Sequence, residues 1–240
     1  MKYIYLKETE STNKYAKELA KVGAGEYTVV IADRQTGGYG RMGRAFYSPD
    51  SSGLYMSIIL RPTIPPDKAL YITTAAAASV CQAIEDISGR TCGIKWVNDI
   101  YIEDKKVCGI LTEAAFKNAN TLEYAILGIG INIYTPNNGF PEDLKHIAGC
   151  IYNKPTDTKN ALAERILDIF TEYYKNLEGK KFLQYYRDKD IVTGNNIKVI
   201  KQDISYNARA VSIDEEFRLI VEDDNQTITA LDSGEISIRM

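Results

Sequence analysis

One stretch, residues 122–134, constrains the fold more than any other. Side chains alternate along a strand, so Ala125, Leu127, Ile129, Ile131 and Ile133 share one aliphatic face, and Gly128, Gly130 and Asn132 share the other. Such a strand must bury its first face. Its second face is a shallow floor, open to a flat ligand or to a closely packed helix. Two further strands precede it, at 94–102 and 107–115. Glu103-Asp104-Lys105 joins these two, and Lys117-Asn118-Ala119-Asn120 leads into 122–134. Connections this short predict an antiparallel meander.

The remaining elements fall around this meander. Residues 3–7 read as a strand, followed by a helix capped by Ser11 or Thr12 with Tyr15, Ala16, Leu19 and Ala20 on its apolar face. A β-branched run at 27–32 leads into a loop rich in glycine and arginine at 35–44, and 54–60 alternates cleanly. After Pro62, Pro65 and Pro66 an alanine-rich segment, about 67–88, predicts a buried helix. Helices are expected at 157–178, with a stripe of Leu162, Ile166, Ile169, Phe170, Tyr173 and Leu177, and at 181–188. Five short strand-like runs (197–200, 208–213, 217–221, 227–231 and 236–238), with acidic turns at 214–216 and 222–225, predict a small β-barrel. The expected division is 1–190 for the main domain and 191–240 for the barrel.

Charge and cysteine usage exclude several classes of function. Twenty-nine basic and 32 acidic residues leave a net charge of −3, so no global positive field holds nucleic acid or an anionic membrane. The uncharged stretches at 69–84 and 124–141 are too short or too broken to span a bilayer, and the first residues carry no secretory signal. Cys81, Cys92, Cys108 and Cys150 form no C-x-x-C, and His146 is the only histidine, which argues against a zinc site and a disulfide framework. A reduced, soluble, cytoplasmic protein is expected.

The loop Gly38-Tyr39-Gly40-Arg41-Met42-Gly43 satisfies G-x-G-x-x-G in letter only. Phe46-Tyr47-Ser48-Pro49 cannot open the helix that a dinucleotide fold requires, and Ile58-Ile59-Leu60-Arg61-Pro62 stands where the ribose-binding acid belongs. No kinase motif set and no Walker lysine follows. What remains is an anion site in which glycines expose backbone N–H groups and Arg41 and Arg44 offer forked donors, or else a flexible hairpin with solvated arginines.

Read in order, six motifs resemble the biotin protein ligases: Ser11-Thr12-Asn13; Gln35-Thr36-x-Gly38-x-Gly40-Arg41-x-Gly43-Arg44; Leu54-Tyr55-x-Ser57; Lys95-Trp96-x-Asn98-Asp99; Lys106-x-x-Gly109-Ile110-Leu111; and Gly128-x-Gly130-x-Asn132. The resemblance covers about residues 1–135. It implies an α+β catalytic core related to class II aminoacyl-tRNA synthetases, a mixed sheet with helices, followed by an SH3-like barrel. It also implies a two-step reaction. Biotin and MgATP give biotinyl-5′-AMP and pyrophosphate, and a lysine of a biotin carboxyl carrier domain, of acetyl-CoA or pyruvate carboxylase, then displaces AMP.

By the same resemblance Ser11, Thr12, Asn13, Gln35, Tyr39, Gly40, Arg41, Lys106 and Gly109 bind biotin. Arg41, Arg44, Phe46, Lys95, Asn98, Asp99 and Asn132 bind ATP, and Lys106 and Arg41 are catalytic. Mg²⁺ comes with ATP rather than on histidine or cysteine. Three positions depart from the family pattern: Tyr39 replaces an arginine, Val97 a proline and Phe46 a tryptophan. The motifs begin within the first dozen residues, which implies the form without an N-terminal DNA-binding winged helix; a homodimer is compatible. Two rivals stay open: a lipoate or octanoate ligase or transferase on the same scaffold, and a non-catalytic anion-binding interaction module.

Overall fold

A computed structural model describes residues 1–201, 204–232 and 235–238. The first strand, β1 (Lys2–Thr9), lies parallel to β2 (Thr28–Gln35), and helix α1 (Thr12–Lys21) makes the crossover that a parallel pair needs. Antiparallel pairing then adds β3 (Gly53–Leu60) to β2. After helix α2 (Leu70–Ser88) come β4 (Gly93–Lys95), β5 (Asp99–Ile102), β6 (Lys105–Asn118) and β7 (Thr121–Asn132). The seven strands form one mixed sheet in the order β1-β2-β3-β7-β6-β5-β4. This is the α+β architecture expected.

The two faces of β7 are used as its alternation requires. Ala125, Leu127, Ile129 and Ile131 join Leu54, Met56, Ile58 and Leu60 of β3 in the main core, under α2 and helix α3 (Lys159–Tyr174). A one-residue slip would expel these aliphatics at about 1.5–3 kcal/mol each, so the register is fixed. On the opposite face α1 packs Ala16 and Ala20 on Val30, Ile59, Tyr124 and Ile126. In the rows beyond that patch, Ser57–Gly128–Leu111 and Tyr55–Gly130–Gly109, β7 contributes only glycine.

Four expectations are corrected. Tyr15 is exposed, and α1 instead buries Thr12, Asn13, Ala16 and Ala20. Ser11 occupies the cap position but its side chain caps nothing; the Thr12 N–H is taken by Gln35 Oε1 of β2 at 2.8 Å. The single strand expected at 94–102 is a hairpin, β4 paired with β5, because Trp96-Val97-Asn98 turns the chain. The helix expected at 157–178 ends at Tyr174, and a separate 3₁₀ turn, Leu177–Gly179, follows.

Helix α4 (Leu183–Lys189) leads to β8 (Asn196–Lys201), β9 (Ile204–Ile213), β10 (Leu219–Asp223), β11 (Ile228–Leu231) and β12 (Glu235–Ile238). They form an antiparallel sheet in the order β11-β10-β9-β8-β12. Among the described residues β11 does not pair with β12, so the expected barrel is an open sheet; residues 202, 203, 233, 234, 239 and 240 of the 191–240 segment lie outside the described residues. Among the described residues no helix is long and apolar enough to cross a membrane.

The acidic turn between β9 and β10 is docked rather than solvated. Glu216 pairs with Lys68 and with Lys180 (2.8 Å to the latter) and accepts from the Tyr71 hydroxyl. Lys180, Lys68 and Tyr71, in that order, hold its carboxyl down to about 2 from an ordinary 4.5. A depressed carboxyl stabilises above its unfolded value and ceases to as pH falls through its folded one, so the docking weakens between about pH 4.5 and about pH 2. With a third of the side chain exposed (33%), solvent screening keeps the effect modest. Trp96, the only tryptophan, donates to the carbonyl of Phe217 beside this turn and reports the change. Its emission is expected to move to the red over that pH window, and Glu216→Gln is expected to abolish the step. A variant that keeps the same acid step would assign it to other carboxylates.

Candidate active site

The bare end of the sheet opens into a cleft of about 360 Å³. Its floor is glycine: Gly109 of β6 stands opposite Gly130 of β7, and Gly128 is two residues further along. An added Cβ at Gly130 would lie 2.5 Å from Phe46 Cε1, and one at Gly109 would lie 3.4 Å from Phe46 Cε2. The Phe46 ring therefore rests on the backbone of both strands, a contact that any side chain at Gly130 would prevent.

Phe46 is carried there by the glycine loop, which is an ordered hairpin. Phe46 N donates to Gly38 O (2.9 Å), Gly40 N to Arg44 O (2.8 Å), and Tyr39 pairs with Ala45. The tip is a short 3₁₀ turn, Arg41–Gly43, with Met42 (φ 55°) and Gly43 (φ 73°) in the left-handed region. At Gly38 a side chain would strike Ser48 Oγ (2.7 Å) and Phe46 O (2.8 Å), so the strands of the hairpin can close only on glycine.

At one end of the cleft the polar side chains form a connected network. Asn13 Nδ2 donates to the Glu113 carboxylate (2.8 Å), which orients its carbonyl toward Ser57 Oγ at 2.6 Å. That carbonyl can only accept, so it takes the Ser57 proton. Thr12 Oγ1, 2.8 Å from Ser57 and 3.1 Å from Gln35 Oε1, is then left to donate. Gln35 Nε2 donates to Ser48 Oγ at 2.9 Å. Tyr39 OH donates to the same Glu113 carboxylate at 2.7 Å, and burial, then this partner, raises the pKa of the phenol. Ser11, buried, lines the same wall.

The other end is cationic. Arg41, Arg44, Lys95 and Lys106 line it, and among the described residues Asp99 is the only acid in the lining. Lys106 Nζ lies 2.7 Å from Asp99 Oδ1 and Arg41 Nη1 donates to Asn98 Oδ1 at 3.3 Å. Asn98 is itself fixed, since its Nδ2 donates to Ile110 O (2.7 Å) and its main-chain carbonyl accepts from Ile110 N (3.0 Å). Lys95 lies over the Tyr101 ring, 5.8 Å from its centroid, and burial, with Asp99 nearby, pushes the Tyr101 phenol up to about 12.

Every residue assigned to biotin, to ATP or to catalysis from the sequence lies in this lining except Asn132. Its side chain donates to Gly149 O (3.0 Å) and so holds the segment 147–149 along β6, where Lys106 N donates to Ile147 O (2.9 Å). Sequence reasoning left out Glu113, Tyr101, Ile147 and Ile236. Glu113 could have been found: Gly109, Leu111 and Glu113 alternate onto one face of β6. Ile147 and Ile236 arrive from distant segments and leave no local signal.

The floor yields a test. A Cβ at Gly128 would fall on Asn13 Oδ1 and 2.8 Å from its Cγ, so Gly128→Ala must displace the residue that links Ser57 to Glu113. Denaturant unfolding is expected to show a loss of about 1–3 kcal/mol. Gly40→Ala, whose nearest contact would be Arg44 O at 3.9 Å, is expected to be nearly neutral. Equal losses in the two variants would refute the packing assigned to Gly128.

Comparison with known proteins agrees with this geometry. Residues 5–132 match the model of the Biotin/lipoate A/B protein ligase family. The bifunctional ligase/repressor BirA of Bacillus subtilis (strain 168) is 35% identical over 240 residues, which cover 98% of this chain and 73% of that protein. A biotin--[acetyl-CoA-carboxylase] ligase of Mycobacterium tuberculosis is 25% identical, over 97% of this chain and 87% of its own. The biotin protein ligase from Aquifex aeolicus in complex with biotin and ATP is similar in structure, with a TM-score of 0.84 and 30% identity over 99% of this chain and 98% of that one. The motifs, the fold and the cleft thus agree with one another, and the chain belongs to the Biotin/lipoate A/B protein ligase family, among its biotin protein ligases.

Proposed function

We propose that this chain activates biotin with ATP to biotinyl-5′-AMP and transfers the biotinyl group to a lysine of a carboxyl carrier domain. The observation that carries the reading is one continuous cleft with a polar amide-binding end, a cationic end and a glycine floor between them. In the first step a biotin carboxylate oxygen attacks the α-phosphorus and the bond to pyrophosphate breaks. Two anions must meet, so fixed positive charge has to be in place beforehand. Lys106, at the cationic end beside the Gly109 floor, suits the carboxylate and the α-phosphate together, and Arg41 suits the phosphate. In the second step the carrier lysine's neutral amine attacks the acyl carbon, AMP leaves with the bonding pair, and the amine loses a proton.

Ser11, Thr12, Asn13 and Gln35, with Tyr39, Gly40 and Gly109, are assigned to biotin, and Arg44, Phe46, Lys95, Asn98 and Asp99 to ATP. Asn132 is assigned to holding the 147–149 segment. Mg²⁺ is taken to enter on the ATP phosphates; the oxygens of Asn98 and Asp99 are donors of the hard kind it prefers, and it supplies charge neutralisation there. The reading includes a cytoplasmic location and a carrier domain of acetyl-CoA or pyruvate carboxylase as acceptor. A homodimer would use the exposed edge β1, where Tyr3 (41% exposed) and Tyr5 (67%) face outward.

Two experiments test the proposal. A site built to hydrogen-bond a ureido ring rejects an acid that lacks one by about 10⁴ or more, so desthiobiotin is expected to support pyrophosphate release and octanoate is not. Octanoate or lipoate turned over as fast as biotin would move the chain to the lipoate side of its family. Lys106→Ala is expected to slow adenylation roughly 10²–10³-fold in single-turnover kinetics. A near-parental rate would reduce Lys106 to a partner of Asp99.

A further inference from the structure

Phe217, outside the cleft, is fully buried although it stands at the tip of the β9–β10 turn and has a left-handed backbone (φ 59°). Its ring stacks on Phe182 (4.9 Å between centroids, 10° between planes) and meets Tyr71 (5.2 Å) and Tyr186 (5.8 Å) edge-on. Its carbonyl accepts from Trp96 Nε1 at 2.9 Å, and Tyr186 OH donates to Val97 O at 3.1 Å. Two consecutive residues of the β4–β5 turn are therefore held from behind, one by the C-terminal sheet and one by α4. The next two residues carry the cationic end of the cleft: Asn98 accepts from Arg41 and Asp99 pairs with Lys106. Asp214 fixes the β9–β10 turn, its Oδ1 accepting from Glu216 N and Arg218 N at 2.8 Å each.

We propose that Phe217 and Tyr186 are positioning residues for the ATP half of the site, acting through the Trp96-Val97 turn that they brace. This rests on the proposed function and deepens it. Neither residue lines the cleft, and the polar network for the acid sits on α1, β2, β3 and β6, away from the brace. Loosening the turn therefore shifts Asn98 and Asp99 while Thr12, Gln35 and Ser57 stay in place. A change confined to one substrate separates positioning from general damage to the fold.

The experiment is steady-state pyrophosphate exchange on the full chain, with ATP and biotin varied in turn, for Phe217→Leu and Tyr186→Phe. Loss of a positioning contact of this kind is expected to raise the KM for ATP about tenfold in Phe217→Leu and several-fold in Tyr186→Phe, with the KM for biotin within about twofold of the parent. Trp96 emission is expected to shift to the red in Phe217→Leu, and far-UV circular dichroism checks that each variant is folded. If Phe217→Leu does not fold, Tyr186→Phe, which loses one hydroxyl, decides alone. Parallel rises in both KM values, or a folded Tyr186→Phe with parental constants, would overturn the proposal while the ligase reading stands. A parent that exchanges no pyrophosphate with any acid would remove both.

Discussion

A strand whose two faces have opposite needs organises this molecule. β7 is aliphatic on one side and nearly bare on the other. The aliphatic side locks its register beneath α2 and α3. The other side makes a small core only where it carries Tyr124 and Ile126, under Ala16 and Ala20 of α1. Beyond that patch the first turn of α1 and the glycine loop come to the backbone directly. Asn13 closes over Gly128 and Phe46 over Gly130, and the cleft is the space that remains.

Electrostatics is built against the average of the chain. A net charge of −3 gives the whole protein no attraction for anions, yet among the described residues four cations converge on one end of the cleft beside a single carboxylate. Field lines from such a cluster are focused by the low-dielectric walls, which favours an anionic group at this mouth. The charges are also held in position. Asp99 keeps Lys106 in place and Asn98 keeps Arg41 in place, which lowers the reorganisation left for the moment of reaction.

Much of this was legible in the sequence because it rests on short periods and local chemistry. The alternation in 122–134 gave the correct division of faces, and the glycines at 128 and 130 marked close approaches. The motif residues converge because β2, β3, β6 and β7 are neighbours in the sheet. Reading 94–102 as one strand failed because Ile94, Ile100 and Ile102 are all core residues on either side of a turn that contains no glycine or proline. Tyr15 was misplaced because the apolar stripe of a short helix is narrow, and here two polar residues, Thr12 and Asn13, take the inner positions. The role of Phe217 was out of reach. An acidic turn reads as solvated, and only the folded chain brings Lys68, Lys180 and the aromatic rings around it.

Phe46 resting on the Gly109–Gly130 pair has a thermodynamic consequence. The ring covers part of the two glycine backbones before any ligand arrives. A flat group that replaces it there exchanges one aromatic surface for another and dehydrates little new apolar area on the floor. The heat-capacity change of association is then smaller than the size of the ligand would suggest, because part of the hydrophobic gain was already made when the chain folded.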